Sequence, residues 1–253
     1  MKVAVVTPTI GTPYLSQCIE SVQDQTYENL THYIFLDGEE HFQKVYSQAI
    51  NKTKKTIKSI GLQENIGKGW YGHRVYAACS FLVNADIICY LDEDNWFEKD
   101  HVEKLVQTIT ERNLDWAFSF RKIYDKQGNY LCEDNCESLG KWPIYFSEDQ
   151  HHIDTSSFAI KQSVAVNIGH AWYGQWGADR KFFYNLSKYF PNYDCSLAHT
   201  LCYRLDGNPN SVNKEFFDKG NEINFERYNG KLPWKQKSEP PSLQVGPGIS
   251  VQF

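Results

Sequence analysis

The N-terminal half of the chain alternates short continuous apolar runs with segments whose apolar residues recur at helical spacing. Residues 2–7 (KVAVVT) are one such run, closed by Pro8 and Gly11, the pattern of a strand buried on both faces that opens into a loop. Thr12 and Pro13 then supply an N-cap and a first-turn proline for a helix to about residue 25, with Leu15, Cys18, Ile19 and Val22 on one face. The alternation predicts further strands at 32–36, 56–60 and 87–91, and helices at 39–51, 67–84 and 98–112. Such an order implies right-handed crossovers and a mainly parallel central sheet flanked by helices, an α/β fold.

Ligands of such sheets bind outside the carboxyl ends of the strands. The loops at 7–12, 37–40, 64–68 and 92–95 therefore share one rim, and four polar loops there make a nucleotide-sized crevice. After residue 115 the pattern changes. A hairpin is expected from 116–124 and 129–131 around Lys126-Gln127-Gly128, strands at 156–160 and 200–205, and a helix over 178–190 carrying Phe182, Phe183, Leu186 and Tyr189. This half is the richer in Trp, Tyr and His, which suits a cleft for a polar, ring-shaped ligand. From residue 231 onward, Pro and Gly break up any regular element, so an extended tail is expected.

With 253 residues, 41% hydrophobic and 15% aromatic, the chain is long and apolar enough to bury a sizeable core. A net charge of −5 gives no bulk drive toward nucleic acid or an anionic membrane. No apolar run reaches bilayer-spanning length and no signal-peptide pattern follows Met1-Lys2, so a cytoplasmic location is expected, with peripheral membrane contact through the tail left open. The odd count of seven cysteines fits thiols in a reducing compartment. Cys132, Cys136, Cys195 and Cys202 contain no C-x-x-C knuckle, and a zinc site is not expected.

The strand at 87–91 ends in Asp92-Glu93-Asp94. Three adjacent carboxylates at the mouth of a buried strand repel one another unless a cation neutralises them. Mg²⁺ and Mn²⁺ suit such a place, since they take one or two protein carboxylates and complete their shell from water and substrate phosphates. Alternation points Asp92 and Asp94 the same way and Glu93 the other, which makes Asp92 and Asp94 the candidate metal pair. A plain acidic helix cap is the competing reading.

The chain at this point resembles the family-2 glycosyltransferases, which have the GT-A nucleotide-sugar fold. The matching pieces, in serial order, are VAVVTPTIGTPYLSQCIESVQDQTYENL (3–30), FLDG (35–38), ENIGKGWYGHRVYAA (64–78), YLDEDN (90–95) and WGADRKFFYNL (176–186). The resemblance implies inverting transfer of a sugar from a nucleotide diphosphate, most often UDP, to an acceptor hydroxyl on a carbohydrate or other molecule, with Mn²⁺ or Mg²⁺, and a role in polysaccharide biosynthesis. It divides the chain into a nucleotide-sugar-binding half (1–112), an acceptor-binding and catalytic half of the same domain (113–230) and a tail (231–253). Residue by residue, it implies that Pro8, Thr9, Asp37, Asn65, Lys68, Arg74 and Glu93 contact the nucleotide, with Gly67 in the loop beneath it. Asp92 and Asp94 would hold the metal, with His199, or else His151 or His152, as a further ligand.

The chemistry calls for these residue types. A divalent cation stabilises the charge on the departing diphosphate, and a carboxylate takes the acceptor's proton. The base expected from the resemblance is Asp179. Ala178 stands where the first acid of a Glu-Asp pair is usual, and Asp154 is the reserve candidate. Trp172, Trp176 and Arg180 are expected to hold the sugar or the pyrophosphate. Two other readings stand beside this one. A sugar nucleotidyltransferase should carry a Gly-rich basic loop after the first strand, which TPTIGTPYL lacks; a non-catalytic nucleotide- or carbohydrate-binding module is what Ala178 favours.

Overall fold

The structure, a computed structural model, describes residues 1–49, 54–205 and 212–236. Strand β1 (Val3–Thr9) leads to helix α1 (Leu15–Gln23), β2 (Leu30–Asp37), a 3-10 turn at Glu39–His41, α2 (Phe42–Ala49) and β3 (Thr56–Leu62). Then come α3 (His73–Leu82), β4 (Ile87–Tyr90), the two-residue β5 (Trp96–Phe97), α4 (His101–Glu111), β6 (Trp116–Tyr124) and β7 (Tyr130–Glu133). The rest is β8 (Phe158–Lys161), α5 (Gln162–Ile168), α6 (Ala178–Tyr189), β9 (Tyr193–Arg204) and α7 (Lys214–Arg227).

One sheet runs through both halves in the order β3-β2-β1-β4-β8-β6-β9-β5, with β7 paired to β6. The first four strands are parallel, as the strand-helix alternation requires. Strand β8 is antiparallel to both β4 and β6, which turns the second half into a mixed block where β6 and β9 run parallel.

Alternate residues of the central strands explain the continuous apolar runs. Ala4, Val6, Ile88 and Tyr90 face one layer with Val75, Tyr76 and Cys79 of α3 and Phe182 and Leu186 of α6. Val3, Val5, Ile87 and Cys89 face the other layer, with Cys18 and Val22 of α1 and Val102, Leu105 and Ile109 of α4. Burying each such side chain contributes about 1.5–3 kcal/mol, so both faces of β1 and β4 must be apolar.

Several boundaries differ from the sequence expectation. Helix α1 starts at Leu15: the Thr12 hydroxyl makes no cap hydrogen bond among the described residues, and the Leu15 amide closes a turn onto the Thr12 carbonyl at 3.2 Å ahead of the helix. Helix α3 starts at His73, since Tyr71 and Gly72 have φ of 53° and 72° and interrupt helical geometry. The expected strand at 200–205 is the end of the longer β9, and α5 and α7 were not expected at all. The first residues of the tail are docked: Trp234 is 2% exposed in the core and donates from Nε1 to Asn135 Oδ1 at 2.9 Å. Residues 237–253, and the end of the second expected helix at 50–51, lie outside the described residues. Among the described residues no helix is long and apolar enough to cross a membrane, and all seven cysteines are free thiols.

Candidate active site

The four loops at the carboxyl ends of the parallel strands border one cavity of about 860 Å³, which extends across to the start of α6. Seven carboxylates line it (Asp37, Asp92, Glu93, Asp94, Glu137, Asp154 and Asp179) against three permanent cations, Lys68, Arg121 and Arg180. That acid excess is the site's dominant electrostatic feature.

Directly after β4 and Leu91, the three consecutive acids divide their work. Asp92 accepts the Tyr76 hydroxyl on Oδ1 at 2.7 Å and the Ser156 hydroxyl on Oδ2 at 3.1 Å. Burial, followed by the Asp154 charge, raises its pKa above the ordinary carboxylate range. Glu93 points elsewhere: its carboxylate accepts the Thr9 hydroxyl at 2.5 Å and the amides of Ile10 at 3.2 Å and Thr12 at 2.8 Å. Although it lines the cavity, Glu93 thus serves the β1–α1 loop, where nucleotide contact was expected. The Asp94 carbonyl accepts Arg204 Nε at 3.1 Å, and Asn95 Oδ1 accepts the Arg204 amide at 3.0 Å, so the end of β9 holds the acid turn from behind.

Asp37, at the end of β2, is 3% exposed and accepts the amides of Ile66 and Gly67, both at 2.8 Å. Burial raises its pKa, with those two hydrogen bonds opposing. It is therefore both a cavity wall and the brace of the 64–72 loop. A Cβ on Gly67 would run into the Asp37 carboxylate, so this close approach requires glycine. Asn65 and Lys68 of the same loop, and Pro8 and Thr9 after β1, also line the cavity.

The second half contributes a buried ion cluster that the sequence reading missed. Arg121 of β6, 2% exposed, binds Asp134 at 2.7 Å, Asp154 at 2.8 Å and Glu137. Burial opposes its charge, but the three carboxylates outweigh that and raise its pKa. An arginine directly after Trp116-Ala117-Phe118-Ser119-Phe120, in a strand that is mostly apolar, was the available signal. Asp154 also accepts the Ser156 amide at 2.9 Å, so each of its oxygens carries a donor. Glu137 additionally reaches Arg180 at 3.3 Å.

Asp179 lies in the first turn of α6, partly exposed to the cavity, with Oδ1 accepting the Arg180 amide at 2.8 Å. Trp176, 69% exposed, lines the same mouth.

Three expected residues are elsewhere. The Arg74 guanidinium stacks on Trp70 at 3.8 Å, with Tyr173 at 5.6 Å, and is not part of the cavity wall. His199 is not brought to the acid turn either: it pairs with Phe120 in the β6–β9 register and its Nδ1 lies 3.7 Å from Glu133. Trp172 is fully buried and stacks on Phe182 at 3.9 Å as core.

Among the described residues no cluster of three or more acidic, His or Cys ligands is assembled for a metal. The donor set still fits a hard divalent ion, because Asp92 and Asp94 offer oxygen on an acid-rich wall and such ions draw their other ligands from water and phosphate.

The family model described as "Glycosyl transferase family 2" matches residues 4–186. Glycosyltransferase GlyA of Streptococcus pneumoniae serotype 4 is 28% identical over 142 residues, 54% of this chain and 18% of that protein. Putative glycosyltransferase EpsH of Bacillus subtilis strain 168 is 28% identical over 130 residues, 51% of this chain and 36% of that protein. The chain thus spans only a minor part of the length of these curated relatives. Among solved structures, S. aureus TarS residues 1–349 in complex with UDP-GlcNAc superposes with a TM-score of 0.60 at 14% identity, covering 92% of this chain and 68% of that one. A crystal structure of S. aureus TarS gives 0.58, covering 92% of this chain and 40% of that one. These likenesses establish the GT-A fold.

Proposed function

The chain belongs to glycosyl transferase family 2, and on that premise we propose that it moves a sugar from a UDP-sugar to an acceptor hydroxyl with inversion, assisted by Mn²⁺ or Mg²⁺. The observation that carries this reading is that the acid pair beyond β4 and Asp179 at the head of α6 wall one cavity from opposite halves of the chain. The UDP-GlcNAc complex of the TarS fragment supports the choice of a uridine nucleotide.

In this reading the 1–112 half binds the nucleotide. Pro8, Thr9, Asn65 and Lys68 contact it from two loops, and Asp37 and Glu93 keep those loops in shape. Asp92 and Asp94 hold the cation, which when bound supplies positive charge to the departing diphosphate. Tyr76 and Ser156 fix the direction of the Asp92 carboxylate by donating to its two oxygens. Asp179 takes the acceptor's proton, and Arg180, held by Glu137, adds positive charge beside it. Trp176 offers an apolar face to a sugar ring at the mouth. The acceptor half, 113–230, thereby supplies the base and the mouth, and polysaccharide assembly is the setting this chemistry fits.

The test is hydrolytic release of UDP from UDP-GlcNAc and UDP-glucose with Mn²⁺, water standing in for the acceptor hydroxyl and taking the sugar, in parent and Asp179→Asn protein. Turnover in the parent that is lost in Asp179→Asn, with UDP binding intact, supports the transferase. A protein that binds UDP and Mn²⁺ by calorimetry yet never turns over is the binding module that Ala178 favours.

A further inference from the structure

One buried group at the base has no role so far. His152 lies in the extended segment before β8, is 5% exposed and lines the cavity. The Gly140 amide donates to its carbonyl at 2.9 Å, which anchors the backbone beneath the ring. Its Nε2 is 3.7 Å from Asp179 Oδ2, and its Nδ1 is buried with no hydrogen-bond partner among the described residues.

A neutral imidazole has one N–H and one lone pair, and an ionised carboxylate only accepts. The proton therefore belongs on Nε2, toward Asp179, which leaves the lone pair on Nδ1. Asp179 Oδ1 is already held by the Arg180 amide at 2.8 Å. A second donor on Oδ2 would take from the carboxylate its freedom to rotate.

Resting on the assignment of Asp179 as the base, we propose that His152 is a positioning residue for it: Nε2–H holds Oδ2 and keeps the carboxylate aimed into the cavity. At 3.7 Å the pair is longer than a hydrogen bond, as catalytic pairs often are before substrate is bound. The other groups acting electrostatically at Asp179 are His73 at the head of α3, Asp92 beyond β4 and Asp154 before β8, and Arg180 follows it in α6. Two of these are carboxylates, and a neutral donor holds Asp179 without adding to their repulsion.

The sign of the test follows from the donor. Removing a hydrogen bond to the ionised form makes the carboxylate easier to protonate, so the acid limb of the rate profile moves to higher pH. Nitrogen NMR of histidine-labelled protein, with the His152 signal assigned by its loss in His152→Gln, is expected to read the Nε2–H tautomer. Turnover of UDP-GlcNAc with Mn²⁺, read as UDP release, is expected to show for His152→Phe an acid limb raised by about half a pH unit or more and kcat down about tenfold, with donor KM within about twofold. His152→Gln keeps a donor and should retain the parental limb; should the Phe variant not fold, His152→Ala replaces it in the comparison. An Nδ1–H tautomer, an unmoved limb, or a raised KM with an unmoved limb overturns the proposal. Failure of the transferase reading looks different: parent and Asp179→Asn then release UDP equally, and the tautomer still decides the pairing.

Discussion

Glu93 accepts a hydrogen bond from the Thr9 hydroxyl at 2.5 Å, joining the acid turn after β4 to the loop after β1. The Ile10 and Thr12 amides complete the latch, which ties together two loops that border the cavity. Glu93→Ala leaves two backbone amides and a hydroxyl without their acceptor. It is expected to weaken UDP binding by about tenfold, about 1.4 kcal/mol, measured by calorimetry. Thr9→Val, which removes one of the three donors, should have a smaller effect in the same direction.

Asp94→Ala is expected to abolish the Mn²⁺-dependent part of the thermal stabilisation by UDP while leaving the ligand-free melting temperature nearly unchanged. A ligand that binds only the native state raises its apparent stability, so the difference between scans with and without Mn²⁺ reads the contribution of the acid pair. Equal Mn²⁺ dependence in parent and variant would place the cation elsewhere.

The raised pKa of Asp92 has a pH consequence of definite sign. A carboxylate whose folded pKa lies above its unfolded one binds its proton more tightly when folded. Its contribution to stability is present below the unfolded value and is lost as pH rises through the folded one. Urea denaturation without metal should therefore show stability falling over that interval. Asp92→Asn should flatten the fall, and Mn²⁺ should stabilise most at its upper end, where the ionised carboxylate needs a counter-charge.

Arg121→Met should be among the most damaging substitutions in the chain. It strands Asp134, Glu137 and Asp154, all buried, without their shared cation. Breaking a buried ion pair by removing one partner costs about 3–5 kcal/mol, read as a lowered urea midpoint. Arg121→Lys should restore little, because one ammonium cannot match three carboxylates arrayed around a planar guanidinium.

Asp179→Asn is expected to lower turnover by about 10²–10⁴-fold with UDP affinity unchanged, since the proton that Asp179 would take belongs to the acceptor and not to the nucleotide. A parental rate in this variant would move the base to another residue.

What the sequence by itself determined is the parallel half of the sheet and the place where its ligand loops gather. Strands β1, β2 and β4 are buried on both faces, so their apolar runs are unbroken and local inspection finds them. The acids that end β4 are equally visible, because charge after such a run has no packing explanation. Tertiary structure alone decided the partners that come from distant chain. Arg121 meets carboxylates 13, 16 and 33 positions away, and Asp179 meets His152 through a contact between separate elements. Helix α7 buries only Phe217, Gly220 and Asn224, too few apolar residues to announce itself. Arg74 and His199 were matched by position, yet one is drawn onto Trp70 and Tyr173 and the other onto Phe120 and Glu133. A motif specifies where a side chain leaves the backbone; the aromatic faces and charges that the fold brings near decide where it ends.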